Sequence, residues 1–482
     1  MIESLKVSYI ISKKNLSFLI LSIGLSLPAI LLGENLLLAL LVIMVIMLSF
    51  VFGERFILAI IIITLFTLVG DLNRSLRTVV QLVDITLLGI LFLRRFGLNF
   101  NSYPRIPKSV LYFLLLYFSA MIISGVMSKY PFAGVGIIAH QIALFIIVYV
   151  FYSLISSTRD IKLYFTCIFI VACILVTFSL SAFSQGDVSL LDILSPNRPR
   201  VSAIIGNIEA STNFFVVSFP FLISALFLKQ KNTDKAIYYL LILYFSLGLM
   251  IMMSRSAIIG IIVSTAIIFY LLNRKRFYQL LLSITIIILL FLFYTPLNEL
   301  LTTFFRIESG MSARDYIWKM SMDMITDHTV FGIGPGAYQY EMLNYFPYML
   351  GDWWGKLFIY YNEVTGGANL SHNFFLTFFT DMGILGIMTA VALPLIFWRI
   401  GIKTLKKYKN EDPNNYYLII ALFAAGSSII VRNLFNSIGL LYVGGIQTDL
   451  PFWLIFSSLI YFYKMPLPAK EVVANQLKSS VT

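Results

Sequence analysis

Long apolar stretches separated by short polar segments run through almost the whole sequence. Fourteen of them approach the roughly 20 residues that an α-helix needs to cross a bilayer. They occupy 17–33, 36–52, 56–70, 78–93, 110–128, 135–156, 161–184, 210–228, 236–253, 256–272, 277–296, 373–398, 415–435 and 448–464. The pattern predicts an all-α polytopic membrane protein with about 14 transmembrane helices (range 12–14), forming one membrane domain over residues 1–482.

The only long polar interval lies between the eleventh and twelfth apolar stretches, at residues 297–372. Within it, Ser312 is a candidate cap for a short helix that runs to about Thr326. On that helix Ile317, Met320 and Met324 follow the spacing of a buried face, as expected for a helix packed against the protein. The interval therefore predicts one long loop that contains short helices.

Composition agrees with a membrane protein, because 59% of the residues are hydrophobic and only 12% are charged. With the N-terminus inside the cell, 24 of the 35 basic residues fall in cytoplasmic segments. Cytoplasmic loops accumulate lysine and arginine, so this topology is favoured. It predicts cytoplasmic N- and C-termini and an extracytoplasmic, periplasmic loop at 297–372. The net charge of +12 then reflects topology and contact with anionic membrane lipids, and we expect no nucleic-acid partner.

Arginine outnumbers lysine on the predicted outer side, where eight arginines stand against three lysines. A guanidinium offers a planar fork that binds phosphate oxygens through two hydrogen bonds. Arg255 is a sharp case, because Ser254-Arg255-Ser256 is the whole outer turn between two apolar helices. The alternative for each arginine is pairing with an acidic residue or a lipid head group. The outer arginines are Arg74, Arg77, Arg198, Arg200, Arg255, Arg306, Arg314 and Arg432.

Several outer residues are candidates for chemistry or sugar binding. Arg314 and Trp318 share a helical face in the loop and would form a platform for phosphate and sugar, or simply pack on the membrane surface. His372 precedes the long helix at 373–398, whose positive end should keep the imidazole neutral and able to accept a proton. A capping histidine is the alternative. The segment Gly332-Ile333-Gly334-Pro335-Gly336 lacks the Walker A ending and predicts a tight turn.

Particular stretches between about 198 and 398 resemble the O-antigen polymerase and O-antigen ligase superfamily, bacterial membrane glycosyltransferases of the C-type fold. Ser371-His372-Asn373, with the Gly-rich continuation from Asp381 to Gly386, is similar to the family's His-Asn motif and helix. The Arg314 helix and the following Gly turn, Ser254-Arg255-Ser256, and Arg200 before Gly206-Asn207 are similar to further family segments. The chain departs from the family at Ile208-Glu209, where Pro-Asn is often found.

The resemblance implies a donor glycan on undecaprenyl pyrophosphate, used without cofactor, nucleotide sugar or catalytic metal. It implies that Arg255 and Arg314, with Arg200, hold the pyrophosphate and that His372 deprotonates the acceptor hydroxyl. Asn373 and Asp381 would orient the histidine and the acceptor. Arg306, Trp318 and Arg432 are further candidates for substrate binding. The acceptor is either a lipid-linked repeat or a lipid A core sugar, and a flippase and a chain-length regulator are the expected protein partners.

Three functions remain open at this point. Fourteen predicted helices exceed the twelve that are common among ligases, and the 297–372 loop is rich in tryptophan and tyrosine. Both features favour a repeat-unit polymerase in the bacterial cytoplasmic membrane. An O-antigen ligase uses the same chemistry with a different acceptor. A lipid-linked oligosaccharide flippase, which is not an enzyme, would show basic residues around a cavity between two similar halves. The sequence has no evident internal repeat of that kind.

Overall fold

The computed structural model describes residues 53–67, 74–97, 99–185, 208–228, 232–294, 314–345, 370–441 and 445–466. Within these ranges the chain contains helices and no strand. The α-helices are α1 Glu54–Thr67, α2 Arg74–Phe96, α3 Lys108–Met127, α4 Pro131–Leu154, α5 Thr158–Gln185, α6 Ile208–Ala225, α7 Asn232–Met252, α8 Arg255–Leu272, α9 Arg274–Phe293, α10 Arg314–Asp327, α11 Tyr338–Tyr345, α12 Phe374–Tyr408, α13 Pro413–Arg432 and α14 Ile446–Lys464.

Twelve of the fourteen predicted apolar stretches correspond to described helices, and the stretches at 17–33 and 36–52 lie outside the described residues. Eight of the described helices are long and apolar enough to cross a membrane, namely α3 to α8, α12 and α13. A multi-pass membrane protein is therefore confirmed, whereas the count of fourteen spans is not. The largest error in bounds is at α12, which extends ten residues beyond its predicted end at 398.

The centre of the bundle consists of α6, α13 and α14. Nearly all side chains of α14 are buried, and most of those on α6 and α13 are buried too. By contrast, α9 exposes a run of large aliphatic residues at 286–290, which suits contact with lipid tails. At Gly260 of α8 an added Cβ would lie 3.3 Å from the carbonyl oxygen of Ser428 on α13. This close approach brings the first residue of α8 near the last turn of α13.

One end of the bundle is held together by residues that the sequence assigned to the cytoplasmic side. Arg55 Nε lies 2.7 Å from the Asp160 carboxylate, and Arg95 donates to the Leu154 carbonyl oxygen at 2.7 Å. Lys464, near the end of α14, contacts the carbonyl oxygen of Arg105. The predicted alternation of inside and outside segments is thus consistent with the helix packing. The residues that the sequence predicts to lie on the outer side, described below, are found at the opposite end of the bundle.

The Gly turn of the loop is hydrogen-bonded into a break in α12. Gly383 has φ 59° and ψ −146°, so the helix ladder is interrupted there. The carbonyl oxygens of Thr380 and Asp381 accept from the backbone N–H groups of Ile333 and Gly334, each at 2.9 Å. In return the N–H of Ile384 donates to the Thr329 carbonyl oxygen at 3.1 Å. The predicted tight turn is confirmed, and it satisfies the backbone groups that the break in α12 exposes.

Gly383→Ala is expected to lower the thermal midpoint of the purified protein. A Cβ at this position would lie 2.3 Å from the Val330 carbonyl oxygen, and the backbone conformation is one that only glycine adopts readily. The strain alone costs about 1–3 kcal/mol. Gly136→Ala is the matched control, because nothing lies within 4 Å of an added Cβ there. Equal midpoints for the two variants would show that the break in α12 tolerates a side chain.

Candidate functional site

A buried ion pair forms the base of a polar cluster at the end of the bundle that the sequence predicts to face outward. Arg432, the last residue of α13, has no exposed surface, and its Nη2 lies 2.7 Å from Oε2 of Glu209 on α6. The same guanidinium donates to the Glu209 carbonyl oxygen at 2.6 Å, to Thr212 Oγ1 at 3.0 Å and to Asn213 Oδ1 at 3.2 Å. These contacts offset the cost of burying the charge.

The start of α8 binds the same carboxylate. Ser254 Oγ and Ser256 Oγ donate to Glu209 Oε2 at 3.0 and 2.9 Å, and Asn436 Nδ2 donates at 3.1 Å. Ser254 also caps α8. Arg255 lies between the two serines in the chain and is half-buried. Its use by a ligand stays a prediction.

The start of α12 is fixed on the other side of the cluster. Asn373 caps the helix by accepting from the N–H groups of Phe375 and Leu376, at 2.9 and 3.1 Å. Its Nδ2 donates to the Leu434 carbonyl oxygen at 2.8 Å. The cap ties α12 to the loop that follows Arg432. Asn373 therefore positions its neighbour His372 through the backbone.

His372 has an unusual backbone conformation. Its φ is 51°, and within the described residues the only other non-glycine with positive φ is Met253, directly before Ser254. Such conformations are uncommon outside glycine and cluster at functional sites. Here both of them redirect the chain at the same polar cluster. The backbone thus identifies the starts of α8 and α12 as the part of the bundle to test for function.

The imidazole of His372 is kept neutral by its surroundings. Burial is the larger cause, and the nearby positive charge of Arg314 adds to it, so that the pKa of His372 falls to about 4. The negative charge of Glu209 acts in the opposite direction. The lowered pKa agrees with the neutral imidazole predicted from the helix end, but its causes are burial and Arg314. A neutral ring nitrogen is able to accept a proton.

The loop helix α10 carries Arg314 to this cluster. Ile317, Met320 and Met324 are buried at 4%, 1% and 0% exposure, as predicted, and pack with the Gly turn and α11. This packing leaves Arg314 half-exposed at the start of the helix, within electrostatic reach of both His372 and Glu209. The loop therefore adds a half-buried arginine near His372 and Glu209.

Trp318 lies one helical turn after Arg314 on α10, as the spacing predicted. Its indole Nε1 is buried and has no hydrogen-bond partner in the described part of the chain. A buried donor of this kind normally has a partner. Contact between Trp318 and substrate stays a prediction.

The helix starts at this end of the bundle produce a positive site. Glu209 is in the first turn of α6, Ser254 caps α8, Asn373 caps α12, and α10 begins at Arg314. The N-terminus of a helix carries a partial positive charge and unpaired N–H groups that favour anions. Among the described residues at these helix starts, Arg255 and Arg314 are present in addition to the ion pair between Glu209 and Arg432. The arrangement is suited to a phosphate-containing ligand.

Of the other predicted site residues, the two that the structure describes are buried. Arg432 requires a correction, because its fully buried guanidinium binds Glu209, Thr212 and Asn213 and offers no surface to a substrate. Asp381 is also buried, about 12 Å along α12 from Asn373, and its carbonyl oxygen accepts from Ser124 Oγ at 2.6 Å. These contacts support the Gly turn and do not involve His372. Arg200 and Arg306 lie outside the described residues.

The sequence interpretation missed Glu209, Asn213 and Asn436 as members of this cluster. A signal existed for Glu209, since an acidic residue opens a long apolar stretch at the point where the chain departs from the family pattern. A charge at the start of a membrane helix needs a partner. The partner, Arg432, is 223 residues away, so only the packing of α6 against α13 reveals it.

The two cysteines are not part of a metal-binding cluster within the described ranges. Cys167 and Cys173 are free thiols on α5, the first buried and the second packed against the core, as the sequence indicated. Among the described residues no group of three or more His, Cys, Asp or Glu side chains is placed to hold a metal ion. The candidate site therefore consists of arginine, histidine, serine, asparagine and glutamate side chains.

Comparison with known proteins supports the resemblance deduced from the sequence. Residues 240–391 match the family model described as O-antigen ligase. This segment contains Arg255, Arg314, His372, Asn373 and Asp381, whereas Glu209 and Arg432 lie outside it. The resemblance to the O-antigen polymerase and ligase superfamily is thereby confirmed. No curated protein matches the chain.

Proposed function

We propose, from the match of residues 240–391 to the O-antigen ligase family, that this protein transfers a glycan from undecaprenyl pyrophosphate to a sugar hydroxyl. The reaction takes place at the outer face of the bacterial cytoplasmic membrane, and the leading candidate is polymerisation of surface-polysaccharide repeat units. The observation that carries the proposal is that Arg314 lies within electrostatic reach of His372 and Glu209, while the serines on either side of Arg255 donate to the Glu209 carboxylate. Family members are glycosyltransferase-like enzymes.

Arg255 and Arg314 bind the pyrophosphate of the donor. Both are half-exposed and stand at helix starts, so each combines a formal charge with the helix dipole. As the glycosidic bond breaks, its electron pair moves to the pyrophosphate oxygen. Positive groups already in position stabilise this developing charge without reorganisation.

His372 acts on the acceptor. An unprotonated imidazole nitrogen takes the proton of the acceptor hydroxyl while its oxygen attacks the anomeric carbon of the donor glycan. The new glycosidic bond replaces the bond to the pyrophosphate, and undecaprenyl pyrophosphate leaves. The imidazolium later releases its proton to solvent. Asp381 and Trp318 remain proposed contributors, the first by holding the Gly turn and the second by contact with a sugar.

Glu209 connects the two halves of this site. It is fixed by Arg432, Ser254, Ser256 and Asn436, and its charge reaches both Arg314 and His372. Before the donor binds, the negative charge of Glu209 lowers the net positive charge of the site. Once a pyrophosphate engages Arg314, the negative charges near His372 raise its pKa from about 4 and make it a stronger base. Donor binding and base strength are thus coupled.

The experiment that tests the proposal is gel profiling of surface glycans in cells that lack the native gene and carry this one. Lipid-linked and lipid A-linked pools are separated before electrophoresis. Restoration of long chains where single repeats remained on lipid A would establish a polymerase. Absence of any change in both pools, with the protein present in the membrane, would contradict glycan transfer.

A ligase is the second candidate, because O-antigen ligase is the description of the matching family. In the same experiment, its loss would strand long chains on undecaprenyl pyrophosphate and its return would move them to lipid A. The shared donor site predicts the same residue requirements for both reactions. The acceptor pool that changes therefore decides between them.

A further inference from the structure

A separate cavity lies at the opposite, predicted cytoplasmic end of the bundle. Its volume is about 480 Å³, and it is bounded by α8, the start of α9, the end of α12 and the start of α13. Aromatic and aliphatic side chains form most of the wall, including Tyr270, Phe277, Tyr416 and Phe423. No residue of the proposed active site contributes to it. The cavity accommodates a hydrocarbon segment, not a sugar.

Basic residues mark the mouth of this cavity. Lys406 in the last turn of α12 and Lys409 directly after the helix are exposed, and both line the opening. The Arg274 guanidinium lies 3.6 Å from the ring centre of Tyr270, which is itself part of the wall. Lys403 is exposed one turn earlier on α12. The opening thus combines apolar walls with a cluster of cations.

Acidic residues in the α12 to α13 turn only partly offset this charge. Asp412 is occupied as the cap of α13, where it accepts from Asn415 N–H at 3.1 Å. Glu411 is exposed in the same turn. Together with the basic start of α9, the rim retains a clear positive excess. An amphiphile with an anionic head group complements both parts of the site.

The position of the cavity, at the predicted cytoplasmic end of the bundle, fits a lipid of the inner leaflet. The rim residues belong to segments that the distribution of lysine and arginine assigns to the cytoplasmic side. Head groups of anionic lipids lie at that level, and basic pockets between transmembrane helices bind them. Acyl chains lie below the head groups, where the aromatic wall is found. A soluble phosphate compound has no hydrocarbon chain to contact the apolar wall.

We propose that this cavity binds one anionic phospholipid, with the phosphate at Lys406 and Lys409 and an acyl chain among Tyr270, Phe277 and Phe423. The site is independent of the glycan-transfer site and joins α8 to α12, the two helices whose opposite ends carry Arg255 and His372. A bound lipid would therefore brace the helices that position those residues. Each lysine near the surface contributes about 1 kcal/mol, so the pair accounts for about thirtyfold in affinity.

The test is native mass spectrometry of the purified full-length protein, titrated with phosphatidylglycerol or phosphatidylcholine in mixed micelles. Wild type should retain one phosphatidylglycerol under conditions that strip phosphatidylcholine. The Lys406→Gln/Lys409→Gln double variant should bind phosphatidylglycerol about thirtyfold more weakly. The control is Lys108→Gln/Lys162→Gln, which removes the same charge from exposed residues of α3 and α5. It should bind as wild type does.

A third variant tests the contribution of the cavity wall to lipid binding separately from that of surface charge. Ala266→Phe fills part of the wall without altering any charge and should also lower retention of the lipid. Equal binding by wild type and the double lysine variant would overturn the proposal. So would equal retention of phosphatidylcholine and phosphatidylglycerol, or loss of binding in the α3 and α5 control. Thermal midpoints of the unliganded variants distinguish lost binding from lost folding.

Discussion

Replacing His372 by alanine is expected to reduce glycan transfer by about 10²–10⁴-fold, the usual contribution of a positioned general base. The cap of α12 is made by Asn373 and not by His372, so the helix start should persist in the variant. The loss should appear in turnover more than in donor binding. The measurement uses purified protein in nanodiscs with a fluorescent lipid-linked donor.

His328 provides the matched control for that variant. It lies in the same loop, directly after α10, and takes part in the backbone bonds that lead into the Gly turn. His328→Ala removes an imidazole without touching the start of α12, so it should retain wild-type turnover. Wild-type turnover in His372→Ala would remove His372 as the base.

The pH profile gives an independent check of the same residue. Burial and Arg314 hold the pKa of His372 near 4 in the free protein, so the proton-accepting form predominates above about pH 5. We expect kcat/KM to be unaffected by this group from there upward and to fall as the pH approaches 4. The acid limb of kcat should lie at higher pH, because a bound pyrophosphate favours the imidazolium. His372→Ala should lose this limb.

Replacing Arg314 by glutamine is expected to lower turnover by roughly 10²–10³-fold, as removal of one preorganised donor to a developing charge does. Arg314→Lys keeps the charge but loses the planar fork, so it should recover only part of the activity. Arg314 is the better test because it is half-exposed at a helix start. Arg432 is fully buried, and its loss would leave Glu209 as an unpaired charge and destabilise the protein.

Lys319→Gln is the control for the Arg314 variants. Lys319 is exposed on the same helix, so the substitution removes one positive charge without removing a group of the proposed site. Turnover should remain near that of wild type in this control. Full activity in Arg314→Lys would refute the bidentate contact, and full activity in Arg314→Gln would remove Arg314 from the donor site.

The fold class was predictable because bilayer thickness sets the length of apolar stretches. Twelve predicted stretches correspond to helices, with most bounds shifted by only a few residues. The extension of α12 beyond residue 398 was missed because its last turns are amphipathic, with Lys403, Lys406 and Lys409 on one exposed face. Charged residues on one face lower the average hydropathy of a segment, so the predicted apolar stretch ends before the helix does. The backbone bonds between the Gly turn and α12 leave no local signal at all.

The sequence by itself determined the membrane class, and it predicted the two sides of the bundle and the residue types suited to a phosphate-linked donor. Arg255, Arg314 and His372 were each identifiable because a lone charged or titratable residue stands out beside long apolar helices. Tertiary packing decided which of these residues meet. Glu209 and Arg432, 223 positions apart, became partners only when α6 packed on α13, since buried charges must pair across the fold and not along the chain.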